Sequence, residues 1–302
     1  MKTLKLKKEI LKPDYLMGEF LTDNDYDLLI DYDCDVYEKN GKLLAKFRKN
    51  VLTEINLLNC VKNIRKAITL QEGRGVTSGK VDISKTRYRN RKVHTTEGFK
   101  LQGVGLDGRK VKMKFGNQFL GGIIGYMDRT VMMPYCRKTA YTKNEFEKFK
   151  KAIPFIKEVD DKYKELIPEK WEIQNQYAKA TDNNYVIEGT TFTTVTVNKD
   201  FQTAVHKDVG DLKKGFGNLS CYKTKGSKGG YFVLPEYKIA FDLGSTDLLL
   251  VDVHKWHGNT PIINETEEDE RISFVMYYRE KTIKCLSPSD ELERVKRANN
   301  KL

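Results

Sequence analysis

The sequence predicts an α+β protein in which helices pack on a β-sandwich or jelly-roll core. Six short apolar segments occur from residue 190 onward and are bounded by Gly, Pro, Asn or Asp, a pattern typical of sandwich strands. Two earlier segments, 52–68 and 142–167, repeat apolar residues every three or four positions, as amphipathic helices do. With 302 residues, 39% of them hydrophobic, the chain is long enough to bury a core.

The first 80 residues are predicted to form a mixed extension that packs on the core. One helix is expected there, over 52–68. Its predicted apolar face consists of Leu52, Ile55, Leu58, Val61, Ile64 and Ile68.

A strand and a turn are predicted next, over 114–129, and then the clearest helix, over 142–167. Thr142 and Glu145 have the spacing of a capping box, so the helix is expected to start there. Pro154 lies inside it and is expected to kink the helix or split it in two.

Strands dominate the rest of the chain, and a polar tail over 287–302 is expected to be helical or frayed. The predicted strands are 190–197, 218–222, 230–235, 239–243, 247–253 and 271–278.

The charge balance favours polyanionic partners. The chain has 54 Lys and Arg against 42 Asp and Glu, a net charge of +12. Residues 80–114 hold eleven of these cations and three acids, a net charge of +8. This basic segment either contacts phosphates or is a solvated surface, because charge alone does not identify a nucleic-acid ligand.

Cysteine usage and hydropathy favour an intracellular protein, in the cytoplasm or in a host cell if the chain is viral. The five cysteines are scattered without a Cys-x-x-Cys pair, which predicts reduced thiols. No apolar run reaches the roughly 18 residues of a membrane helix, and the basic N-terminus lacks the apolar segment of a secretory signal.

Two histidines and an acid form a metal-ligand pattern. His206 and Asp208 make a His-x-Asp triplet whose side chains share one face if the triplet lies on a strand. His257 follows 49 residues after Asp208, beyond an apolar strand. Two His and one carboxylate on one side of a metal leave open positions opposite, as in non-haem Fe(II) oxygenases. His254 competes with His257 for the third position, and the alternative is that His206 is a surface histidine and Asp208 a turn acid.

Arg271 and Ser273 extend this pattern onto the last predicted strand. Iron in such a site must bind a 2-oxo acid and still leave a position for O₂. A second carboxylate on the 2-oxo acid needs a fixed cation, and Arg271 can bind it through two hydrogen bonds. Ser273 faces the same side and can donate another hydrogen bond. The order His-x-Asp, His, Arg therefore predicts a 2-oxoglutarate-dependent oxygenase.

Longer stretches resemble the TET/JBP nucleobase oxygenases. Three of them resemble the strand entering the metal site and the closing strands of that family: FTTVTVNKDFQTAVHKD (192–208), HGNTP (257–261) and RISFVMYYREK (271–281). Three more resemble upstream segments of compact viral and fungal-type members: GYMDR (125–129), CRKTAYT (136–142) and DKYKELIP (161–168). The resemblance covers about 120–281. It implies a double-stranded β-helix (jelly-roll) core flanked by helices, in a catalytic domain over 81–286.

The resemblance also implies the cofactors and their ligands. His206, Asp208 and His257 would bind Fe(II). Arg271, assisted by Ser273, would bind the distal carboxylate of 2-oxoglutarate.

Four further residues are implied to contact the substrate. Asp211 stands where the family often has an Asn or Asp that contacts a flipped base, and Tyr277 where an aromatic residue stacks on that base. Arg279 replaces a His that contacts the base in some members. Arg137 faces the co-substrate or the base, or pairs with an acid. The alternatives are a turn acid for Asp211, a core aromatic for Tyr277 and a surface cation for Arg279.

The implied reaction is oxidation of the 5-methyl group of a flipped pyrimidine, with DNA as the partner and no inferred membrane or protein partner. Conversion of 5-methylcytosine to 5-hydroxymethylcytosine is slightly favoured, because an ionised Asp211 can accept a hydrogen bond from the N4 amino group. Thymine is the alternative, since Asp211 and Arg279 can match its N3–H and O4. The remaining rivals are a protein or small-molecule hydroxylase, a metal-free nucleic-acid-binding module and a cupin-like protein with another divalent ion.

Overall fold

The computed structural model describes residues 1–71, 74–79, 91–94, 100–104, 110–112, 118–130 and 133–299. Within these ranges the helices are α1 (Glu54–Ile64), α2 (Ala140–Asn144), α3 (Phe146–Leu166), α4 (Pro168–Lys179) and α5 (Pro288–Asn299). The strands of the first half are β1 (Lys2–Leu6), β2 (Leu28–Ile30), β3 (Cys34–Glu38), β4 (Leu43–Arg48), β5 (Thr69–Gln71), β6 (Arg91–His94), β7 (Lys100–Val104), β8 (Lys110–Lys112), β9 (Phe119–Met127) and β10 (Arg137–Lys138). Those of the second half are β11 (Thr194–Lys199), β12 (Gly217–Lys223), β13 (Ser227–Gly229), β14 (Phe232–Leu234), β15 (Ile239–Phe241), β16 (Leu248–Val251), β17 (Gly258–Asn259), β18 (Ile262–Asn264) and β19 (Arg271–Tyr277).

A large mixed sheet forms the middle layer of the protein. Its strand order is β1-β3-β4-β16-β12-β19-β11-β9-β10, and β5 also pairs with β9. Strand β19 lies between β12 and β11 and is antiparallel to both. A smaller sheet has the order β17-β14-β15-β2, and β13 pairs with β18. The first 80 residues thus supply strands to the large sheet and to the four-stranded small sheet.

The two faces of the large sheet pack against different layers. On β16, Leu248 and Leu250 belong to the core shared with the helices, whereas Leu249 and Val251 belong to the core shared with the small sheet. A strand covered on both faces needs apolar residues at every position, which explains the unbroken run LLLV.

Helix α3 covers the face opposite the small sheet. Phe155 of α3 contacts Phe274 of β19 edge-on, with ring centroids 5.5 Å apart. Phe149, Val159 and Tyr163 of the same helix are also buried. The resulting order of layers is helices, large sheet and small sheet, as expected for the predicted α+β class.

The structure confirms the six predicted strands and corrects the details of the helices. The predicted helix over 142–167 is two helices, α2 and α3, and α3 continues through Pro154 without a break. The capping box is wrong, because Thr139 caps α2 and the buried Thr142 hydroxyl accepts a hydrogen bond from the Gly125 N–H instead. The polar tail forms α5.

The predicted helix over 52–68 is α1, but its buried face is rotated from the predicted one. Ile55 and Leu58 are 73% and 45% exposed, whereas Leu57 and Cys60 are buried. Apolar residues lie on two neighbouring faces of α1. The face that packs against α3 is the one that contains Leu57 and Cys60, not the one that contains Ile55 and Leu58.

The prediction that all cysteines are reduced is wrong for two of them. Cys136 and Cys285 form a disulfide across 149 residues of sequence, whereas Cys34, Cys60 and Cys221 are free and buried. The scattered spacing gave no sign of this pairing, because distant residues are brought together only by the fold.

Most of the basic segment 80–114 lies outside the described residues. The backbone of its strands β6, β7 and β8 forms a separate antiparallel sheet. In the described part of the chain, none of the helices combines the length and apolar character needed to cross a membrane.

Candidate metal and co-substrate site

Backbone pairing brings His206 and His257 together. Each residue's N–H donates to the other's carbonyl, at 2.9 and 3.0 Å. Asp208 lies between them, with its carboxylate oxygens 3.5 Å from His206 Nε2 and 3.6 Å from His257 Nε2. The three potential ligand atoms lie within 4.8 Å of one another. The triplet follows strand β11 in a loop, rather than lying on a strand as predicted.

Hydrogen bonds fix the orientation of both imidazoles. His206 Nδ1 lies 2.8 Å from the Ala204 carbonyl, and His257 Nδ1 lies 2.9 Å from the Lys255 carbonyl. A carbonyl only accepts, so each Nδ1 carries a proton, and it is Nε2 that holds the lone pair in the neutral form of each ring. Both lone pairs are therefore available to a metal ion, and the carbonyls hold the rings in place.

The electrostatics of the cluster favour the metal-binding protonation states. Burial lowers the pKa of His257 to about 4, helped by the neighbouring His206, so the ring is neutral. Burial opposes ionisation of Asp208. The proximity of His206, His257 and Arg74 outweighs this effect and holds the pKa of Asp208 below its usual range.

His254, the competing candidate, lies outside the cluster. Its Nδ1 is 3.0 Å from the Asp208 carbonyl, and its Nε2 is 3.2 Å from the Leu212 carbonyl. The ring thus braces the loop that follows the His-x-Asp triplet. Of the two histidines, His257 is the one whose ring nitrogen faces the carboxylate of Asp208.

Arg271 and Ser273 enter the same cavity from β19. Alternation along this strand directs Ile272 and Phe274 into the helical core and leaves Arg271 and Ser273 on the opposite face. The cavity has a volume of about 230 Å³ and is also lined by the His–Asp–His cluster. Arg271 is 7% exposed, and its Nε has no hydrogen-bond partner within the described part of the chain.

Gly230 leaves room for the Arg271 side chain. Its φ is +68°, and a Cβ there would lie 3.0 Å from both Cδ and Nε of Arg271. Any larger residue would press on the guanidinium group in a backbone conformation that favours glycine.

Asp211, Tyr277 and Arg279 line the same cavity. A backbone bridge pairs Asp211 with Arg279, whose Nε donates to Asp128 at 2.7 Å. Burial and the charge of Asp208 raise the pKa of Asp211 well above its usual value. Burial, together with Asp211, also raises the pKa of Tyr277. The ionised Asp211 expected from the sequence is thus disfavoured, and the cavity presents a carboxyl group, a guanidinium group and an aromatic ring together.

The structure does not bring Arg137 to this cavity. Its guanidinium contacts the carbonyls of Asp128 and Tyr135, at 3.1 and 3.3 Å, beside a second cavity.

Sequence reasoning missed Arg74, which does line the first cavity. It donates to Thr196 at 3.0 Å and to Asn198 at 3.3 Å, on the site-facing side of β11. No local motif marks Arg74, because its partners lie more than 120 residues away.

The chain matches a known protein family and resembles several of its members. Residues 122–280 match the Tet_JBP family, described as the oxygenase domain of the 2OGFeDO superfamily. The chain is 34% identical over 180 residues to the bifunctional helicase and thymine dioxygenase JBP2 of Leishmania infantum, covering 59% of this chain and 16% of that protein. It is 34% identical over 164 residues to the thymine dioxygenase JBP1 of Trypanosoma brucei brucei, covering 52% and 19%. The matched segment is thus less than a fifth of either relative.

The fold also resembles a solved structure, NgTET1 in complex with 5mC DNA. The TM-score is 0.57 at 12% sequence identity, and the match covers 97% of this chain and 90% of that chain. This likeness confirms the predicted jelly-roll fold class.

Proposed function

Because this chain belongs to the TET/JBP family of 2-oxoglutarate- and Fe(II)-dependent oxygenase domains, we propose that it oxidises the 5-methyl group of a pyrimidine in DNA. One observation carries the proposal. A single cavity contains a His–Asp–His cluster, a buried arginine whose Nε is unpartnered among the described residues, and an acid–arginine pair beside a tyrosine.

The residues of the site fit both cofactors of the family. His206, Asp208 and His257 would hold Fe(II), since two free imidazole lone pairs and one carboxylate are a donor set that suits it. Arg271, with Ser273, would hold the distal carboxylate of 2-oxoglutarate, which would give the Arg271 Nε an acceptor. With both bound, the site would couple the oxidative decarboxylation of 2-oxoglutarate by O₂, to succinate and CO₂, to the conversion of a methyl group to a hydroxymethyl group.

The protein contributes orientation and exclusion of water. The ring of Phe232 stacks on His257, with centroids 5.2 Å apart, and covers one side of the cluster. The bridge between His206 and His257 fixes the separation of the two rings. The site is thereby shaped before any ligand binds, which lowers the cost of reaching the reactive arrangement.

A buried cavity requires the base to leave the duplex. Extrusion costs a few kcal/mol, and stacking of the base on Tyr277 would return about 1–3 kcal/mol. The Tyr277 hydroxyl lies 3.2 Å from the Thr196 hydroxyl, which holds the ring in one orientation. Tyr277 would then act as the stacking surface.

Thymine is the base that we favour. The relatives at 34% identity are named thymine dioxygenases. Asp211 beside Arg279 offers an acceptor and a donor, which complement the N3–H and O4 of thymine. The second candidate is 5-methylcytosine, because the Asp211 carboxyl can also accept from its N4 amino group.

Nucleoside mass spectrometry tests the proposal. The protein is incubated with Fe(II), ascorbate and 2-oxoglutarate on two DNA duplexes, one with 5-methylcytosine and one with unmodified bases. Hydroxymethyluracil on both duplexes is the expected product. Hydroxymethylcytosine on the first duplex alone would move the assignment to 5-methylcytosine.

Two variants serve as controls in this assay. Asp208→Ala removes a proposed metal ligand and is expected to abolish the product. Asp242→Ala removes a carboxylate that pairs with Lys223 and is expected to retain it. Succinate formation by the wild type with no oxidised base on either duplex would refute the DNA assignment.

A further inference from the structure

A second, larger cavity adjoins the proposed active site. Its volume is about 880 Å³, and its lining includes residues of β9, of α2 and of the turn that follows α1. Arg74 lines both this groove and the active-site cavity. Arg74 therefore lies at the border between the two spaces, and a ligand strand that leaves the active site beside Arg74 would reach the groove.

The groove is electropositive. Among the described residues, Lys66, Arg74, Arg137 and Lys138 line it, together with a single acid, Glu145. Lys66 already pairs with that acid, as does a lysine of α3. This lining thus carries three more positive charges than negative ones.

Three of these cations have no carboxylate partner among the residues that the structure describes. Arg74 donates to Thr196 and Asn198. Arg137 donates to backbone carbonyls and lies 5.9 Å from the centre of the Tyr135 ring, and Lys138 lies 4.2 Å from the centre of the Phe146 ring. By contrast, Arg48 and Arg129 are each paired with an acid. Cations held in place by carbonyls and an aromatic face, rather than neutralised, are suited to an anionic ligand.

The groove also has an apolar lining. Phe119, Ile123, Met127 and Met133 contribute to it, beside the cations. Single-stranded nucleic acid combines phosphates with bases whose flat faces stack on aromatic side chains, so it suits a groove in which cations lie beside an aromatic and apolar lining.

We propose that this groove binds the DNA strand next to the extruded nucleotide, with Arg137 and Lys138 contacting its phosphates and Arg74 lying where the strand enters the active site. This inference rests on the proposed function. It gives Arg137 a role outside the base site and adds a phosphate contact to the one predicted for the basic segment 80–114.

The salt dependence of DNA binding tests the groove. The double variant Arg137→Gln, Lys138→Gln is compared with wild type by titrating a fluorescent single-stranded nonamer at several salt concentrations. The slope of log K against log salt is expected to become shallower by about 1.4, at about 0.7 for each single-strand phosphate that is no longer neutralised. The matched control is Lys157→Gln, Lys162→Gln, which removes the same charge from the exposed face of α3 and is expected to keep the wild-type slope.

Substrate length provides a second measurement. The wild type is expected to oxidise the nonamer more efficiently than a trinucleotide, in kcat/KM, and the groove variant is expected to lose that advantage. The dissociation constant for 2-oxoglutarate reports on correct folding and is expected to stay within about twofold of wild type, because the substituted residues lie outside the co-substrate site.

The outcomes separate the two hypotheses. An unchanged salt slope and an unchanged preference for length, in a protein whose wild type oxidises DNA, would overturn the groove and leave the proposed function intact. A wild type that neither binds nor oxidises DNA would overturn both. Equal competition by inorganic phosphate and by the nonamer, at the same phosphate concentration, would show a simple anion site and would also overturn the groove.

Discussion

Replacing Arg271 by Met is expected to abolish selectivity for the distal carboxylate of the co-substrate. Met fills a similar volume without charge or hydrogen-bond donors. In the cofactor-free protein the guanidinium is buried and its Nε is unpartnered among the described residues, so the substitution removes a desolvation cost. The melting temperature is therefore expected to stay unchanged or rise.

The loss of affinity follows from the burial of the contact. Truncating one partner of a buried, hydrogen-bonded charge pair costs about 2–5 kcal/mol. A value of about 3–4 kcal/mol corresponds to a roughly 100- to 1000-fold weaker dissociation constant for 2-oxoglutarate, because each 1.4 kcal/mol is tenfold.

Calorimetric titration of the Fe(II)-loaded protein without oxygen measures this loss. Each protein is titrated with 2-oxoglutarate and with 2-oxopentanoate, in which a methyl group replaces the distal carboxylate. The wild type is expected to prefer 2-oxoglutarate by about 100- to 1000-fold, and the Arg271→Met variant to bind both within a few fold. Removing both the Arg271 guanidinium and the distal carboxylate should weaken binding little more than removing either one alone.

The matched control is Lys223→Met. Lys223 lies opposite Arg271 on β12 and pairs with Asp242. Its replacement removes a neighbouring cation and is expected to leave the preference for 2-oxoglutarate intact. The assignment of Arg271 would be refuted if the affinity losses from removing Arg271 and from removing the distal carboxylate added up. It would also be refuted if Arg271→Met still selected 2-oxoglutarate.

Three further substitutions test the fold around the site. In Gly122→Ala the new Cβ would lie 2.0 Å from a backbone carbonyl oxygen, so urea unfolding is expected to show a loss of about 1–3 kcal/mol; unchanged stability would contradict this packing. Replacing Cys136 and Cys285 by Ser is expected to cost about 2–5 kcal/mol, and dithiothreitol should bring the wild type to the same level without affecting the variant. Burial disfavours the Glu291 carboxylate, but the hydrogen bond from Arg129 and two backbone N–H groups lower its pKa in the folded state. Its contribution is therefore present above the unfolded pKa and lost as the pH falls through the folded value, so the stability gap to Glu291→Gln should close in acid.

The sequence contains enough local information to predict the centre of the fold. The first four residues of strand β19 alternate polar and apolar, so the pattern alone assigns Arg271 and Ser273 to one face and Phe274 to the other. The period of two along a strand is a local property of the backbone. The positions of the other strands could be predicted for the same reason, because the Gly, Pro, Asn and Asp residues that bound them are also a local signal.

Features that depend on distant contacts could not be predicted. Strands β1, β3 and β4 are short and contain charged residues, and their pairing within the large sheet comes from tertiary packing. Arg74 has no recognisable motif, because its site-facing position is created by residues of β11. Likewise, helical periodicity located α1 but could not decide whether Leu57 or Leu58 faces the core.

The disulfide divides the chain into a closed covalent loop and two open ends. All the proposed iron and 2-oxoglutarate ligands lie between Cys136 and Cys285, inside the loop. The N-terminal 135 residues, which include β9, are joined to the loop by one peptide bond, by strand pairing such as β9 with β11, and by side-chain packing. A single backbone cut inside the loop leaves both fragments linked, whereas a cut just before Cys136 leaves the N-terminal part attached only by non-covalent contacts. The proposed iron and 2-oxoglutarate ligands thus belong to the closed loop, whereas Arg74 and β9, which line the groove, belong to the N-terminal segment.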